Sequence, residues 1–217
     1  MTTTAPTPAS LPRSDGLDQL MRLGRAQPLT PHCASFYFLR HGQTACNALR
    51  IFQTLDEPLN ETGLEQAAQA ARLLADEPIR QIVCSDARRV LQTAHIAAAP
   101  HHLEPMARAA LRERNFGALI GTSSMYIDWA ASPEGGETLA GFMQRKHAAL
   151  ADALALPGPV LVVAHGGTLY ALAAMLAVPL DWQLLGNALP LRFERSGATW
   201  RATPLSPRKE ANTTGIA

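Results

Sequence analysis

The sequence predicts an α/β fold with a mainly parallel sheet and one antiparallel edge. Short apolar runs with β-strand character alternate with longer segments of helical periodicity, which is typical of crossover units on a parallel sheet. Two further short apolar segments flank Ser196 and Gly197, as expected for a β-hairpin at a sheet edge. A chain of 217 residues with 47% hydrophobic composition has room for one such domain.

Each predicted element is supported by its own pattern. Four apolar runs predict the parallel strands, at residues 36–40, 79–85, 106–111 (the weakest) and 160–165. The first long helix is expected near Thr62, which forms a capping box with Glu65. Apolar residues at positions 64, 68, 71 and 74 then follow at helical spacing. Further helices are predicted at residues 88–99, 138–156 and 168–177, and the hairpin at residues 191–194 and 199–203.

The composition changes at both ends of the chain. Residues 1–31 are rich in Thr, Pro, Ala and Ser, with a helical pattern only at residues 17–23, and predict a disordered tail. Residues 206–217 are again polar and predict a frayed end. The expected organisation is therefore a single domain over residues 32–205 between two tails.

Charge, hydropathy and cysteine usage argue against several classes of partner. Nineteen Lys and Arg against eighteen Asp and Glu give a net charge of +1, so no overall field attracts nucleic acid or an anionic membrane. The longest apolar stretch, residues 169–180, has about 12 residues, whereas ~20 are needed to span a bilayer. No secretory signal pattern is visible. The three cysteines lack metal-binding spacing, which predicts free thiols, no metal site and a cytoplasmic location.

Polar residues and glycines lie at the carboxyl ends of the predicted strands, which is where open α/β sheets bind ligands. They come from four distant parts of the chain, which is the arrangement expected of a catalytic site. The residues are Arg40, His41 and Gly42 after the first strand, Ser85, Asp86, Arg88 and Arg89 after the second, Glu113 after the third, and His165, Gly166 and Gly167 after the fourth.

Four ordered segments, LRHGQTACN, CSDARRVLQTA, LRERNFG and VVAHGGT, resemble the signature segments of the histidine phosphatase superfamily. The DEPLNETGLEQA stretch fits the same pattern. The resemblance extends from residue 36 to residue 203 and implies the phosphoglycerate-mutase-like fold, a three-layer α/β/α sandwich. The sequence departs from the common pattern at Thr54, at Asn60 and at Asp86 with Ala87, outside the expected catalytic positions.

The resemblance assigns a role to each candidate residue. His41 is the expected nucleophile, since a neutral imidazole can attack phosphorus and form a phosphohistidine. Arg40, Arg89 and His165 would stabilise charge on the phosphoryl oxygens, and Glu113 would be the general acid. Substrate contacts are expected from Gln43, Thr44, Asn47 and Gly166, the last at a helix N-terminus. The resemblance implies no cofactor, a small phosphate ester as substrate, and compatibility with a homodimer.

Three of these assignments have alternatives in the sequence. Adjacent helical residues point about 100° apart, so only one of Arg88 and Arg89 can face the site, and the family register favours Arg89. Glu113 could instead pair with one of its neighbours, Arg112 or Arg114. The two glycines after His165 could simply open a helix.

Three functions are compatible with the motifs. The first is a phosphatase that hydrolyses a phosphate monoester through a phosphohistidine, and the alternative is phosphoryl transfer of the phosphoglycerate mutase type. Mutases of this fold carry additional basic residues after the acid, whereas residues 115–144 contain no Lys or Arg. A non-catalytic module would have lost at least one of His41, Arg89, Glu113 or His165, and all four are present. The sequence therefore favours the phosphatase.

Overall fold

The computed structural model describes residues 16–207, and in this range a six-stranded sheet lies between helices on both faces. The strands are β1 (Ser35–Arg40), β2 (Gln81–Cys84), β3 (Met106–Ala107), β4 (Val160–Ala164), β5 (Pro190–Ser196) and β6 (Thr199–Pro204). The helices are α1 (Leu17–Ala26), α2 (Ala45–Ala48), α3 (Glu61–Leu74), α4 (Arg88–Ala98), α5 (Leu139–Leu154) and α6 (Gly166–Met175).

The sheet has the order β3-β2-β4-β1-β5-β6. Strands β3, β2, β4 and β1 pair in parallel, whereas β5 pairs antiparallel with β1 and with β6. The predicted fold class, a three-layer α/β/α sandwich with a parallel centre and an antiparallel edge, is thus confirmed. Because β2, β4 and β1 are parallel neighbours, the residues that follow them meet at the carboxyl ends of these strands.

Alternating side chains of the central strands build two hydrophobic clusters, one on each face of the sheet. Phe36, Phe38 and Val162 pack with α1, α5 and α6. Tyr37, Leu39 and Val163 pack with α3 and α4. Strand β4 is buried along its whole length, as expected for a central parallel strand covered on both faces.

Strand β3 and helix α3 have different bounds from those that the sequence predicts. Strand β3 stops at Ala107, and a short 3-10 turn over Ala109–Leu111 replaces its predicted second half. Helix α3 begins at Glu61, because the Asn60 side chain accepts a hydrogen bond from the amide of Gly63 at 2.8 Å. Asn60, not Thr62, is therefore the N-cap.

The prediction of a disordered tail over residues 1–31 is wrong for its second half. Helix α1 forms there and packs against α6, with Leu20 fully buried in the core. The approach is close: a Cβ placed on Gly24 would lie 2.3 Å from the Cβ of Ala174. Residues 1–15 and 208–217 lie outside the described residues, so the expectations for them stay predictions.

No helix among residues 16–207 is long and apolar enough to cross a membrane. Cys33, Cys46 and Cys84 are free thiols.

Candidate active site

His41 follows β1 directly, and its ring lies almost completely buried, with 3% exposure. Its Nδ1 is 2.8 Å from the carbonyl oxygen of Gly42. A carbonyl oxygen only accepts hydrogen bonds, so Nδ1 carries the proton in the neutral ring. The lone pair is consequently on Nε2, the nitrogen that a nucleophilic imidazole would use.

The backbone around His41 is fixed by two residues from elsewhere in the chain. Thr93, on α4, accepts a hydrogen bond from the Gly42 amide at 3.1 Å and donates one to the carbonyl of Arg89 at 2.7 Å. Asn187 donates to the carbonyl of His41 at 3.0 Å. A Cβ on Gly42 would lie 2.4 Å from the carbonyl oxygen of Gly63, so only glycine allows this loop to approach the start of α3 so closely.

Arg40 and Arg89 bring two guanidinium groups to His41. Arg40 donates to the carbonyl of Leu185 at 2.7 Å, and Arg89 donates to the carbonyl of Thr54 at 2.8 Å. Arg89 is 4% exposed, whereas its neighbour Arg88 is exposed. The Nε atoms of Arg40 and Arg89 are buried and have no hydrogen-bond partner in the protein. Buried donors without a partner carry a desolvation cost and are uncommon in folded proteins.

His165, directly after β4, is the second buried imidazole. Its Nδ1 accepts a hydrogen bond from Nη2 of Arg89 at 3.4 Å, because a guanidinium can only donate. Its Nε2 therefore carries the proton and donates to the hydroxyl of Ser85 at 3.0 Å. The rings of His41 and His165 meet edge to face, with their centroids 5.4 Å apart.

The electrostatic surroundings keep both imidazoles neutral. Burial, followed by the charges of Arg89 and Arg40, holds the pKa of His41 well below its ordinary value of 6.5. Burial and the charge of Arg89 also lower the pKa of His165 well below that value. A neutral His41 has the lone pair that nucleophilic attack requires.

Glu113 reaches the same cavity from the segment after β3. Its Oε1 accepts a hydrogen bond from the amide of Arg114 at 2.9 Å, and its Oε2 accepts one from the amide of Gly167 at 2.8 Å. Two backbone donors thus fix the orientation of the carboxyl group. Arg112 does not pair with Glu113, because it binds Asp86 through two hydrogen bonds of 2.6 and 2.7 Å.

Helix α6 begins at the cavity with His165 as its N-cap. The amides of a helix N-terminus lack partners within the helix and bind anions. Gly166 lines the cavity, and the amide of Gly167 holds Glu113. A Cβ on Gly167 would lie 2.3 Å from Oε1 of Glu113, so a glycine is required where the acid packs against the helix.

These residues surround a cavity of about 270 Å³. Seven residues of the sequence-predicted site line it: Arg40, His41, Asn47, Arg89, Glu113, His165 and Gly166. Gln43 and Thr44 are not among the lining residues. Thr44 caps α2 and donates to Gln53 at 2.9 Å, whereas the Gln43 side chain accepts from Asn60 at 3.0 Å. Both side chains therefore support the loop around the cavity.

Sequence reasoning missed several residues of the site. Ser85 stood at a predicted strand end without an assigned role, and its position was the available signal. Thr93 lies within the motif CSDARRVLQTA without an assigned role, whereas Asn187 gave no local signal because it comes from 146 residues along the chain. Asp86, which follows β2, binds Arg112 and is not among the residues that line the cavity. Among residues 16–207, no group of three His, Cys, Asp or Glu side chains is placed to hold a metal ion.

Comparisons with known proteins show the family of the chain. The family model of the histidine phosphatase superfamily (branch 1) matches residues 36–189. A glucosyl-3-phosphoglycerate phosphatase of Mycolicibacterium vanbaalenii is 36% identical over 175 residues, which cover 69% of this chain and 77% of that protein. A protein of Yersinia pestis named "Probable phosphoglycerate mutase GpmB" is 35% identical over 192 residues, which cover 77% of this chain and 87% of that protein.

A solved structure shows the same similarity in three dimensions. The mycobacterial glucosyl-3-phosphoglycerate phosphatase in complex with VO₃ superposes with a TM-score of 0.65 at 29% identity. The match covers 79% of this chain and 97% of that chain.

Proposed function

The chain belongs to the histidine phosphatase superfamily and is a phosphatase, and from this premise we propose that it hydrolyses phosphate monoesters through a phosphohistidine on His41. The observation that carries this proposal is the hydrogen bond from Nδ1 of His41 to the Gly42 carbonyl. It leaves Nε2 with a free lone pair inside a cavity that also contains two arginines.

In the first step, the Nε2 lone pair attacks phosphorus and the bond between phosphorus and the ester oxygen breaks. Glu113, protonated at this stage, gives its proton to the departing alkoxide, so the alcohol leaves neutral. In the second step water attacks the phosphohistidine, and the Glu113 carboxylate accepts a proton from that water. Inorganic phosphate leaves, and both His41 and Glu113 return to their starting states.

The phosphoryl group gathers negative charge on its three outer oxygens during both steps. We assign the stabilisation of this charge to Arg40, Arg89 and the amino end of α6, with His165 positioning Arg89 through the hydrogen bond that its Nδ1 accepts. The supporting observation is that both arginines line the cavity beside His41. Asn47 belongs to the same set, because it lines the cavity and accepts a hydrogen bond from Asn187 at 3.4 Å.

Hydrolysis is favoured over mutase chemistry. A mutase must hold the reaction intermediate through a second charged group while the phosphoryl group changes its position. Residues 115–144, which follow the acid, contain no Lys or Arg. Water is therefore the expected acceptor, with a small-molecule phosphate ester as the substrate. The three free thiols support a cytoplasmic location as part of the same proposal.

Replacing the nucleophile tests the mechanism. His41→Ala should abolish turnover while keeping the wild-type circular dichroism spectrum, whereas His95→Ala, at an exposed histidine of α4, should keep wild-type activity. Rapid quenching of the wild type during turnover of a ³²P-labelled ester should trap phosphate that is labile in acid and stable in alkali. Turnover by His41→Ala, or trapping of label by that variant, would contradict the assignment.

A further inference from the structure

The cavity contains a continuous aromatic wall that the mechanism does not use. This aromatic wall consists of Phe52, Phe116, Trp129 and Tyr170, all of which line the cavity. The ring centroids of Phe52 and Phe116 are 4.3 Å apart, those of Phe116 and Trp129 are 6.1 Å apart, and those of Trp129 and Tyr170 are 6.2 Å apart. Ile51 and Ile127 line the same cavity and extend the apolar surface.

The aromatic wall lies beside the general acid of the proposed mechanism. A Cβ on Gly167 would meet both Oε1 of Glu113, at 2.3 Å, and Cη2 of Trp129, at 2.9 Å. The indole ring and the carboxyl group therefore converge on one backbone position. Because the general acid must contact the ester oxygen of the leaving group, the alcohol portion of the substrate lies next to the wall.

The described part of the cavity offers no exposed cation to a charged alcohol. Apart from Arg40 and Arg89, the arginine that lines it is Arg114, which is 3% exposed. Its guanidinium donates to the carbonyls of Trp129, Ala131 and Glu137, which hold it within the wall of the cavity. A carboxylate or second phosphate on the alcohol would lose hydration without gaining an exposed ionic partner.

We propose that the aromatic wall is a specificity subsite for an uncharged apolar or aromatic alcohol, so that the preferred substrates are apolar phosphate monoesters with a single phosphate. This inference rests on the proposed function, because the position of the leaving group follows from the role of Glu113. It separates this chain from the relatives whose names specify phosphoglycerate compounds, since the glycerate of those compounds carries a carboxylate.

A series of n-alkyl phosphates tests the subsite. Ethyl, propyl and butyl phosphate have leaving alcohols of similar basicity, so differences in kcat/KM report contacts of the alkyl chain. Each added methylene should raise kcat/KM about fourfold, which corresponds to ~0.8 kcal/mol per buried CH₂. Butyl phosphate should also exceed 3-phosphoglycerate by more than tenfold. Equal rates along the series, or a preference for 3-phosphoglycerate that Arg114→Met removes, would overturn the proposal.

A charge placed in the wall should reverse the preference. Ile127→Arg would add a cation to the cavity lining, so it should lower kcat/KM for butyl phosphate and raise it for 3-phosphoglycerate. The matched control is Ile120→Arg, at an exposed isoleucine of the same segment that does not line the cavity. The control should keep the wild-type ratio of the two esters. The same shift in both variants would refute a specific role for the wall.

Binding of the corresponding alkylphosphonates, measured by calorimetry, separates the two hypotheses because their C–P bond is not hydrolysed. Tighter binding with chain length, together with no turnover of any ester, would leave the apolar subsite in place and reject the phosphatase mechanism. Turnover of the esters with no dependence of phosphonate binding on chain length would reject the subsite and keep the mechanism.

Discussion

At the scale of single residues, the segment 112–114 places three charged side chains in three different environments. Arg112 faces outward and binds Asp86, Arg114 is buried against backbone carbonyls, and Glu113 points to the cavity. Glu113 therefore forms no ion pair with the side chain of Arg112 or Arg114. Its carboxyl group is held by backbone amides and stays available for proton transfer.

Leaving-group chemistry tests the role of Glu113. An alkoxide is strongly basic and needs a proton to leave, whereas p-nitrophenolate leaves without one. Glu113→Gln should slow phosphoenzyme formation from an alkyl phosphate by about 10²- to 10⁴-fold, with a much smaller loss on p-nitrophenyl phosphate. Single-turnover measurements are needed, because slow breakdown of the phosphoenzyme could hide the difference.

The control for this comparison is Glu134→Gln, at an exposed glutamate of the following loop, which should behave as the wild type on both esters. An equal loss on the two esters in Glu113→Gln would point to positioning of the substrate instead of proton donation.

A second residue with an unusual environment is Lys146, on α5, which is fully buried behind the acid segment. Its ammonium donates to the carbonyls of Arg112 and Ala110. Burial, opposed by the charge of Glu113, lowers the pKa of Lys146 to about 7. Arg145 donates to the same two carbonyls, so α5 holds the acid segment through two cations.

The lowered pKa of Lys146 predicts a pH dependence of stability. Between about pH 7 and 10.5 the unfolded chain keeps a proton on this lysine that the folded protein releases. The contribution of Lys146 therefore favours folding increasingly as pH rises, by up to roughly 1.4 kcal/mol per pH unit. Lys146→Met should lack this dependence, so its stability relative to the wild type should fall from pH 6 to pH 10 in urea unfolding. Parallel pH profiles of the two proteins would contradict the burial of a titrating lysine.

At the scale of secondary structure, α1 is the helix that the sequence analysis assigned to a disordered tail. It covers α6, the helix whose amino end forms part of the site, and Gly24 makes the closest approach. The beginning of the helix also meets the loop that carries Trp129, because a Cβ on Gly16 would lie 2.2 Å from the amide nitrogen of Ala130. Helix α1 therefore supports two walls of the cavity.

Gly24→Ala tests the packing of α1. In an isolated helix this change is stabilising by roughly 0.5–1 kcal/mol, because alanine restricts the unfolded chain. Here the new methyl group would overlap with Ala174, so we expect a net loss of about 1–3 kcal/mol in urea unfolding. Arg22→Ala, on the exposed side of α1, should change stability by less than about 0.5 kcal/mol. A stabilised Gly24→Ala variant would show that the two helices are not in close contact.

At the scale of the whole molecule, the sheet order explains how distant segments form one site. Strands β2, β4 and β1 are adjacent and parallel, so Ser85, His165 and His41 follow them at one edge. Parallel strands need crossover connections, so His41 and Ser85 are 44 residues apart in the chain and Ser85 and His165 are 80 residues apart. The site consequently forms only when these three strands have paired in the sheet.

Product analysis tests the reaction of the whole enzyme. Because residues 115–144 contain no Lys or Arg to hold its carboxylate, 3-phosphoglycerate should not be retained, and water should discharge the phosphoenzyme. Incubation with 3-phosphoglycerate should release inorganic phosphate, slowly if at all, and form no 2-phosphoglycerate. Phosphorus NMR distinguishes the two products. Rapid interconversion of the isomers with little phosphate release would establish the mutase alternative.

The sequence by itself determined the fold class, the order of the strands along the chain and the residues that follow them. These features depend on short-range patterns: apolar periodicity defines strands and helices, and a polar residue after a parallel strand lies at the carboxyl edge of the sheet whatever the packing. The assignments of Arg40, His41, Glu113 and His165 to one cavity follow from this rule together with the family motifs.

Only the tertiary structure decided the directions and partners of the side chains. Gln43 and Thr44 stand beside His41 in the sequence but turn into the supporting loop, whereas Asn187 comes from 146 residues away to bind the His41 carbonyl. The tautomers of both histidines, the bond from Gly167 to Glu113 and the docking of α1 likewise depend on atoms far apart in the chain. Hydrogen bonding and close packing act over a few ångströms in space, so no local pattern contains this information.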